Sequence, residues 1–268
     1  GICGIKIFMG SSTGDLLVNE SDALEEIFTN TAGLIAVHAE DETRMIERKK
    51  MIEGRTDMAA HAEWRDDETA LIATKRAVSY AQATGHRLHI LHLTSGVEAD
   101  WLNGITSMYG KEGEAHITTE ALPQHLTYDE RDVELLGTRL KMNPPIRYQK
   151  DKQTLWNRLH DGTITCIATD HAPHSIDDKE KDIKNAPCGM IGLESAFGLV
   201  NKELRNANMD IKSIINLFTI NPSKIINVFP NSIKEGNIAE INIINPNLKW
   251  NLEKQHIFSK SKNTPVLG

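Results

Sequence analysis

The sequence is short of cysteine and contains no long apolar run. Its 268 residues include only Cys3, Cys166 and Cys188, and no two of them form a Cys-x-x-Cys pair. An odd number of cysteines without that spacing argues against a disulfide framework or a structural zinc cluster, and it predicts a reducing, cytoplasmic setting. No stretch reaches the roughly 18 apolar residues that a membrane-spanning helix requires, so we expect no membrane segment.

A block of positive charge is missing as well. The chain has 30 Lys and Arg residues against 37 Asp and Glu residues, a formal net charge of −7, and we therefore expect no nucleic-acid partner. There is also no internal repeat. What remains is an ordinary composition, 40% hydrophobic, in a chain long enough for one large α/β domain with or without a small appendage.

Short apolar runs alternate with amphipathic segments along most of the chain. The runs predict buried strands at residues 5–9, 34–37, 88–93, 115–119 and 164–168. The other segments predict helices at residues 22–29 (capped by Ser21), 41–53, 68–84, 152–160, 192–206 and 211–228, and one that begins at Gly96. This alternation favours a parallel sheet, closed or open. Beyond Gly236 the apolar residues recur with period two, which predicts β-structure outside the main body.

Four polar side chains share one position, the C-terminal end of a predicted strand: Lys6, His38, His92 and Asp170. The C-terminal ends of parallel strands meet at one edge of a sheet, and imidazoles with a carboxylate are ligands suited to Zn²⁺ or a similar ion. Each residue also has a structural explanation, because a strand-end histidine often only forms a hydrogen bond and a strand lysine often extends to solvent. The residues alone leave the metal site and the structural explanation open.

Six strings in this sequence resemble the dihydroorotases of the amidohydrolase superfamily. They are GIKIFMGSSTG from Gly4, AVHAED from Ala36, HILHLTS from His89, KMNPPIR from Lys141, TDHAPH from Thr169 and GMIGLE from Gly189. They occur in the family's order and cover the chain up to about residue 230. The combination of KMNPPIR with TDHAPH is specific, whereas HAED and HLTS are shared with hydantoinases and allantoinases.

The resemblance implies a (β/α)₈ barrel with a two-zinc centre. Residues 1–235 would form part of the catalytic barrel, and residues 236–268 would form a β-rich segment of a small second domain. Lys6 would be carboxylated on its side-chain nitrogen and bridge both zinc ions. His38 and His92 would bind one zinc ion, and Asp170 the other.

The resemblance also implies a substrate and a reaction. Asn143 and His174 would contact the substrate, helped by the backbone from Ala186 to Gly189, while His171 would support the metal ligands from beside Asp170. The reaction would be hydrolysis of the cyclic amide of dihydroorotate, reversible by ring closure of N-carbamoyl-aspartate in pyrimidine synthesis, with Asp170 moving the proton. An allantoinase or hydantoinase activity is the alternative. A homodimer and an association with aspartate transcarbamoylase both remain open.

One family feature is missing from the sequence. Dihydroorotases carry a His-x-His pair and a nearby Arg on the first barrel strand, and no such pair occurs here. The chain starts at Gly1 in what resembles a strand already under way, so we expect an internal piece of a longer protein. A dihydroorotase-like subunit without catalytic activity is the other reading. Five other histidines have no motif around them: His61, His116, His125, His160 and His256. We expect His89 to be a packing residue and Cys166 to be inert core.

Overall fold

The computed structural model describes residues 2–12, 14–106, 116–228 and 232–267. At its centre lies a parallel five-stranded sheet whose strands neighbour one another in chain order. The strands are β1 (Gly4–Phe8), β2 (Leu34–His38), β3 (Arg87–Leu93), β4 (Ile117–Ala121) and β5 (Cys166–Ile167). The α/β architecture predicted from the sequence is therefore confirmed, and these strands correspond to part of a (β/α)₈ barrel.

Helices connect the strands and cover one face of the sheet. They are α1 (Ser21–Asn30), α2 (Glu42–Lys49), α3 (Ala59–Trp64), α4 (Asp67–Thr84), α5 (Gly96–Leu102), α6 (Pro123–Thr127), α7 (Glu130–Leu136), α8 (Gln149–His160), α9 (Ile176–Lys179), α10 (Ala196–Asn206), α11 (Ile211–Phe218) and α12 (Ile220–Ile225). Short 3₁₀ turns occupy Lys50–Ile52, Gly137–Leu140 and Lys254–His256. In the described part of the chain no helix is both long and apolar enough to cross a membrane.

The hydrophobic core lies between this helical layer and the sheet. Alternate strand residues such as Ile35, Leu88 and Ile90 are buried in one cluster with Ala73 and Ala77 of α4. The same alternation turns Lys6, His38 and His89 to the opposite, inner face. The sheet therefore has an apolar outer face under helices and a polar inner face.

Local capping explains where the best predicted helices begin and end. The Asp66 side chain accepts a hydrogen bond from the backbone N–H of Thr69 at the start of α4, and Gly85 ends that helix with a φ of 68°. The Ser95 side chain accepts from the backbone N–H of Glu98 and starts α5. These are the standard helix-start and helix-stop contacts of an aqueous α-helix.

Several predicted boundaries are wrong in instructive ways. Strand β4 lies two residues later than predicted and includes the polar Glu120, while Ala115 lies outside the described residues. Ser21 is the first residue of α1 rather than its cap, because Glu20 holds the capping position. The sequence also gave no indication of α3, α6, α7 and α9, which are each too short for a helical repeat of apolar residues to stand out.

The predicted β-structure after Gly236 is not formed. Within the described residues 236–267 no strand is assigned, and Ile238 and Ile243 are 75% and 99% exposed. An alternating pattern forms a strand only beside a partner, and no strand of the described chain lies next to this segment. The division of the chain at residue 235 remains a prediction.

Candidate active site

Six of the predicted site residues line one cavity at the C-terminal edge of the sheet. The cavity has a volume of about 90 Å³ and is lined by Lys6, His38, His92, Asn143, Asp170 and Gly189 together with four residues that were not predicted, Phe8, Ser12, Ala172 and Cys188. Each strand except β4 contributes a residue at or just beyond its C-terminal end. The shared strand-end position seen in the sequence thus becomes a shared space.

Two buried imidazoles face each other across this space. Nδ1 of His38 lies 2.9 Å from Nε2 of His92, and the two rings are 1% and 2% exposed as residues. Burial lowers the pKa of His92 well below its usual value, and the neighbouring His38 and Lys6 lower it further, so His92 is neutral. A cation in place of the proton between the rings would meet one lone pair from each.

A buried carboxylate fixes the orientation of His38. Oε2 of Glu40 accepts a hydrogen bond from Nε2 of His38 at 2.7 Å and from Nη1 of Arg65 at 2.5 Å. Burial alone would raise the pKa of Glu40, but the Arg65 guanidinium and the bond to His38 lower it further than burial raises it. Glu40 is therefore ionised, and it leaves Nδ1 as the nitrogen of His38 that faces the cavity.

The backbone at two of these positions is strained. His92 has a φ of 38° and Asp170 a φ of 44°, values that side chains other than glycine seldom adopt. On β3 the strain accompanies a bulge between Ile90 and Leu93. Strained backbone of this kind persists where surrounding contacts enforce it, and it concentrates at functional sites.

Asp170 lies at the end of β5 and is half-buried. Burial raises the pKa of its carboxyl group, and the nearby Glu120 acts in the same direction, whereas Lys6 and His38 lower it. A carboxyl group with a raised pKa exchanges protons more readily near neutral pH than an ordinary aspartate does.

Lys6 differs from the buried His38 and His92 in its exposure. Its side chain is exposed, and Nζ lies 4.6 Å from the centre of the Phe8 ring. Among the described strands β1 pairs only with β2, and Phe8 at its end also forms an isolated bridge with Leu17. Lys6 nonetheless reaches the cavity that His38 and His92 line.

A second polar cluster lies deeper on the inner face and has a structural role. Nε2 of His89 lies 3.0 Å from Oε2 of Glu120, and its Nδ1 lies 2.9 Å from the Thr118 hydroxyl. Among the described His, Cys and acidic side chains, His89, Glu120 and Cys166 bring three ligand atoms within 4.8 Å of one another. Glu120 also accepts a hydrogen bond from the backbone N–H of His92 at 3.2 Å. Because both nitrogens of His89 already form hydrogen bonds, we interpret this cluster as structural. Through Glu120 it supports the strained turn at His92.

The predicted substrate residues divide into two groups. Asn143 and Gly189 line the cavity; Oδ1 of Asn143 is buried without a partner, and Nδ2 makes only a 3.4 Å contact with the Ser12 hydroxyl. Gly189 has a φ of 122°, and a Cβ there would lie 2.6 Å from the Cβ of Ala172, so the cavity wall requires glycine.

The other predicted contacts lie behind that wall. Nε2 of His174 donates to the carbonyl of Cys188 at 3.0 Å, and the carbonyl of Ala186 accepts from Nζ of Lys141 at 2.6 Å. Nδ1 of His171 accepts from the backbone N–H groups of Gly192 and Leu193, at 3.2 and 3.4 Å. These residues shape the loop that carries Cys188 and Gly189.

The donor set suits a divalent cation. It combines two buried imidazole nitrogens that face each other with the carboxylate of Asp170 on the same small cavity, and nitrogen and oxygen donors of this kind bind zinc and similar ions. The carboxylate-held His38 adds the orienting contact that metal-binding histidines usually have. The residues present therefore fit a metal centre.

Comparison with known proteins gives a family match over almost the whole chain. Residues 4–268 match the family model described as Amidohydrolase family. A dihydroorotase from Clostridium acetobutylicum is 36% identical over 203 residues, which cover 75% of this chain and 47% of that protein. The chain spans about half the length of the curated relatives that it matches.

Solved structures share the fold. The L-hydantoinase from Arthrobacter aurescens superimposes with a TM-score of 0.78 at 28% identity, covering 86% of this chain and 52% of that one. A dihydropyrimidinase from Brevibacillus agri superimposes over 100% of this chain and 60% of its own, with a TM-score of 0.87 at 21% identity. The resemblance and the barrel fold stated from the sequence are confirmed.

Proposed function

The chain belongs to the amidohydrolase family, and from that premise we propose that it carries the catalytic residues of a zinc-dependent dihydroorotase. The observation that carries the proposal is the cavity that joins the facing imidazoles of His38 and His92 with Asp170, Lys6 and Asn143. The similarity of the chain to curated dihydroorotases supports dihydroorotate as the substrate.

His38, His92, Asp170 and a carboxylated Lys6 would supply part of the ligand set of two zinc ions. When bound, the ions supply an electrophile for the ring carbonyl and lower the pKa of a water molecule toward neutrality. Carboxylation would turn the Lys6 amine into an oxygen ligand for the ions.

The protein's own groups would then move protons and orient the ring. Asp170 takes a proton from the attacking water on a carboxylate oxygen and passes it to the ring nitrogen as the amide bond breaks. Asn143 offers its unpartnered Oδ1 to a ring N–H.

Run in reverse, the same residues would close N-carbamoyl-aspartate to dihydroorotate. Asp170 would then take a proton from the attacking ureido nitrogen and pass it to the departing water. We assign this reaction to pyrimidine synthesis in the cytoplasm, a setting that fits the free thiols of Cys3, Cys166 and Cys188.

Hydrolysis of hydantoin is the second candidate, because a 28% identical L-hydantoinase shares the fold. A competition assay on the complete protein separates the two. We expect kcat/KM for dihydroorotate to exceed the values for hydantoin and allantoin by at least tenfold, with activity lost on chelation and restored by Zn²⁺. A preference for either of the other substrates would replace the dihydroorotase proposal.

A further inference from the structure

The segment that carries Asn143 is held by side chains from four separate parts of the fold. Four of its five backbone carbonyls, from Lys141 to Pro145, each accept a side-chain hydrogen bond. The donors are Nζ of Lys179 to Lys141 at 2.9 Å, Nε2 of His61 to Met142 at 2.9 Å, Nε2 of His125 to Pro144 at 3.1 Å and the Thr94 hydroxyl to Pro145 at 2.7 Å. We call these four donors the carbonyl cradle.

The need for such a cradle follows from the sequence of the segment. Pro144 and Pro145 have no backbone N–H, so the segment joins neither a helix nor a strand ladder. The residues around Asn143 are nevertheless buried. Buried carbonyl groups without donors cost free energy, and here the side chains supply the donors that secondary structure does not.

The two histidines of the cradle are fixed as neutral donors. Burial lowers the pKa of both His61 and His125 to about 4. A carbonyl oxygen can only accept, so the ring proton of each must sit on Nε2. Neither ring lines the cavity that holds His38 and His92.

The cradle matters because the Asn143 side chain has little support of its own. Its Oδ1 is buried without a partner, and its Nδ2 has only the long contact with Ser12. The direction of the side chain is therefore set by the backbone that bears it. A free amide oxygen at this place suits a ligand that brings an N–H group, as a cyclic amide ring does.

We propose that His61, Thr94, His125 and Lys179 are positioning residues that aim Asn143 at the ring amide of the substrate. The inference rests on the proposed function, in which Asn143 contacts that ring. The proposal adds to the site four residues that hold the segment from Lys141 to Pro145 and do not line the cavity. Two of them are histidines outside any motif.

Thr94→Val is the sharpest test in the complete protein, because it removes one hydroxyl and keeps the side-chain shape. We expect KM for dihydroorotate to rise about fivefold or more, the effect of one lost buried hydrogen bond, with kcat and zinc content within twofold. His125→Leu should raise KM further, and His125→Gln, which keeps an N–H donor, should restore part of the loss. His160→Leu on the exposed end of α8 is the matched control and should change nothing.

A double-mutant cycle shows whether the effect passes through Asn143. In an Asn143→Ala background, Thr94→Val should cost no further increase in KM. A full additional increase in KM in the double variant, or an unchanged KM in Thr94→Val alone, would overturn the positioning role of the cradle. If His125→Leu fails to fold, the Thr94→Val cycle still decides.

The positioning role of the cradle and the proposed function can be tested separately. If the wild-type protein hydrolyses no cyclic amide, the proposed function falls, and the side-chain amide resonance of Asn143 in a ¹H–¹⁵N spectrum becomes the measure of the cradle. A shift of that resonance in Thr94→Val but not in His160→Leu supports the cradle. An unmoved resonance rejects it.

Discussion

The two faces of the central sheet follow different rules although the same five strands form both. The outer face packs Ile35, Leu88 and Ile90 against helices, and this close packing explains why each of these positions is apolar. The inner face carries His38, His92 and Glu120, whose partners are other polar groups and whose backbone is strained at His92. On the proposed function, the outer face accounts for stability and His38 and His92 of the inner face for catalysis, so substitutions on each face should separate the two effects.

The largest expected effect is on the inner face. Asp170→Asn removes the group assigned to proton transfer while keeping its size, and kcat for dihydroorotate should fall at least about 1000-fold, as for the loss of a general acid and base. The melting temperature should change by no more than a few degrees. Asp177→Asn, at an exposed carboxylate of the short helix α9, is the control. A kcat within tenfold of the wild type would remove Asp170 from the mechanism.

An outer-face substitution should give the opposite result. Leu88 is fully buried on β3, and Leu88→Ala should lower the free energy of unfolding by roughly 2–5 kcal/mol through lost contacts and a cavity. The folded fraction should keep its kcat. Denaturant titration measures the loss, and Leu135→Ala at an 82% exposed site provides the reference. A large fall in kcat at full folding would mean that the two faces are not separable in this way.

A titratable group on the helical side tests the comparison from another direction. Glu98 of α5 is buried, and burial raises its pKa to about 7, partly offset by a hydrogen bond from Thr74. The unfolded chain has the ordinary value near 4.5. Deprotonation of Glu98 therefore favours unfolding. The stability that the protonated side chain gives to the folded state, up to about 3 kcal/mol, is complete below about pH 4.5 and is lost as the pH rises through 7.

Glu98→Gln should flatten that part of the profile. Chemical denaturation at pH 5 and pH 8 measures it, with Glu134→Gln at an exposed position of α7 as the control. The same pH dependence in wild type and Glu98→Gln would assign it to other groups.

The smallest expected effect concerns the orientation of the His38 ring on the inner face. Glu40→Gln keeps the shape of the side chain but weakens its bond to Nε2 of His38, and zinc affinity should fall about 10- to 100-fold. Competition with a chromophoric chelator measures this without any turnover. Glu47→Gln on the exposed side of α2 should bind zinc as the wild type does. Unchanged affinity in Glu40→Gln would show that His38 needs no such support.

The sequence predicted the outer face well because apolar alternation is a local property. It also predicted that Lys6, His38, His92 and Asp170 share one edge, since parallel strands end together. Their roles as ligands stay predictions. The boundary of β4 was missed because Glu120 interrupts the apolar run. The contacts of Glu120 with His89 and with the backbone N–H of His92, 31 and 28 residues away, explain a carboxylate there.

The cradle histidines show a second limit of sequence reasoning. His61 and His125 stand in no motif, and the carbonyls that they bind lie 81 and 19 residues further along the chain. The Pro144-Pro145 pair is the one local sign, because two consecutive residues without N–H groups leave neighbouring carbonyls in need of donors. After Gly236 the reverse holds: the alternating pattern is clear, but no partner strand lies beside it in the described chain.

The bulge on β3 changes the parity of that strand. Ile90 pairs with Thr119 and Leu93 with Ala121, so three steps on β3 match two steps on β4. Even-numbered residues face the helices before this point, and odd-numbered ones do so after it. A single strand can thus turn both His89 and His92 inward, at two depths of the barrel, without giving up an apolar residue on the other face. One residue more or less in this stretch would exchange the two faces for everything that follows on the strand, with almost no change in composition.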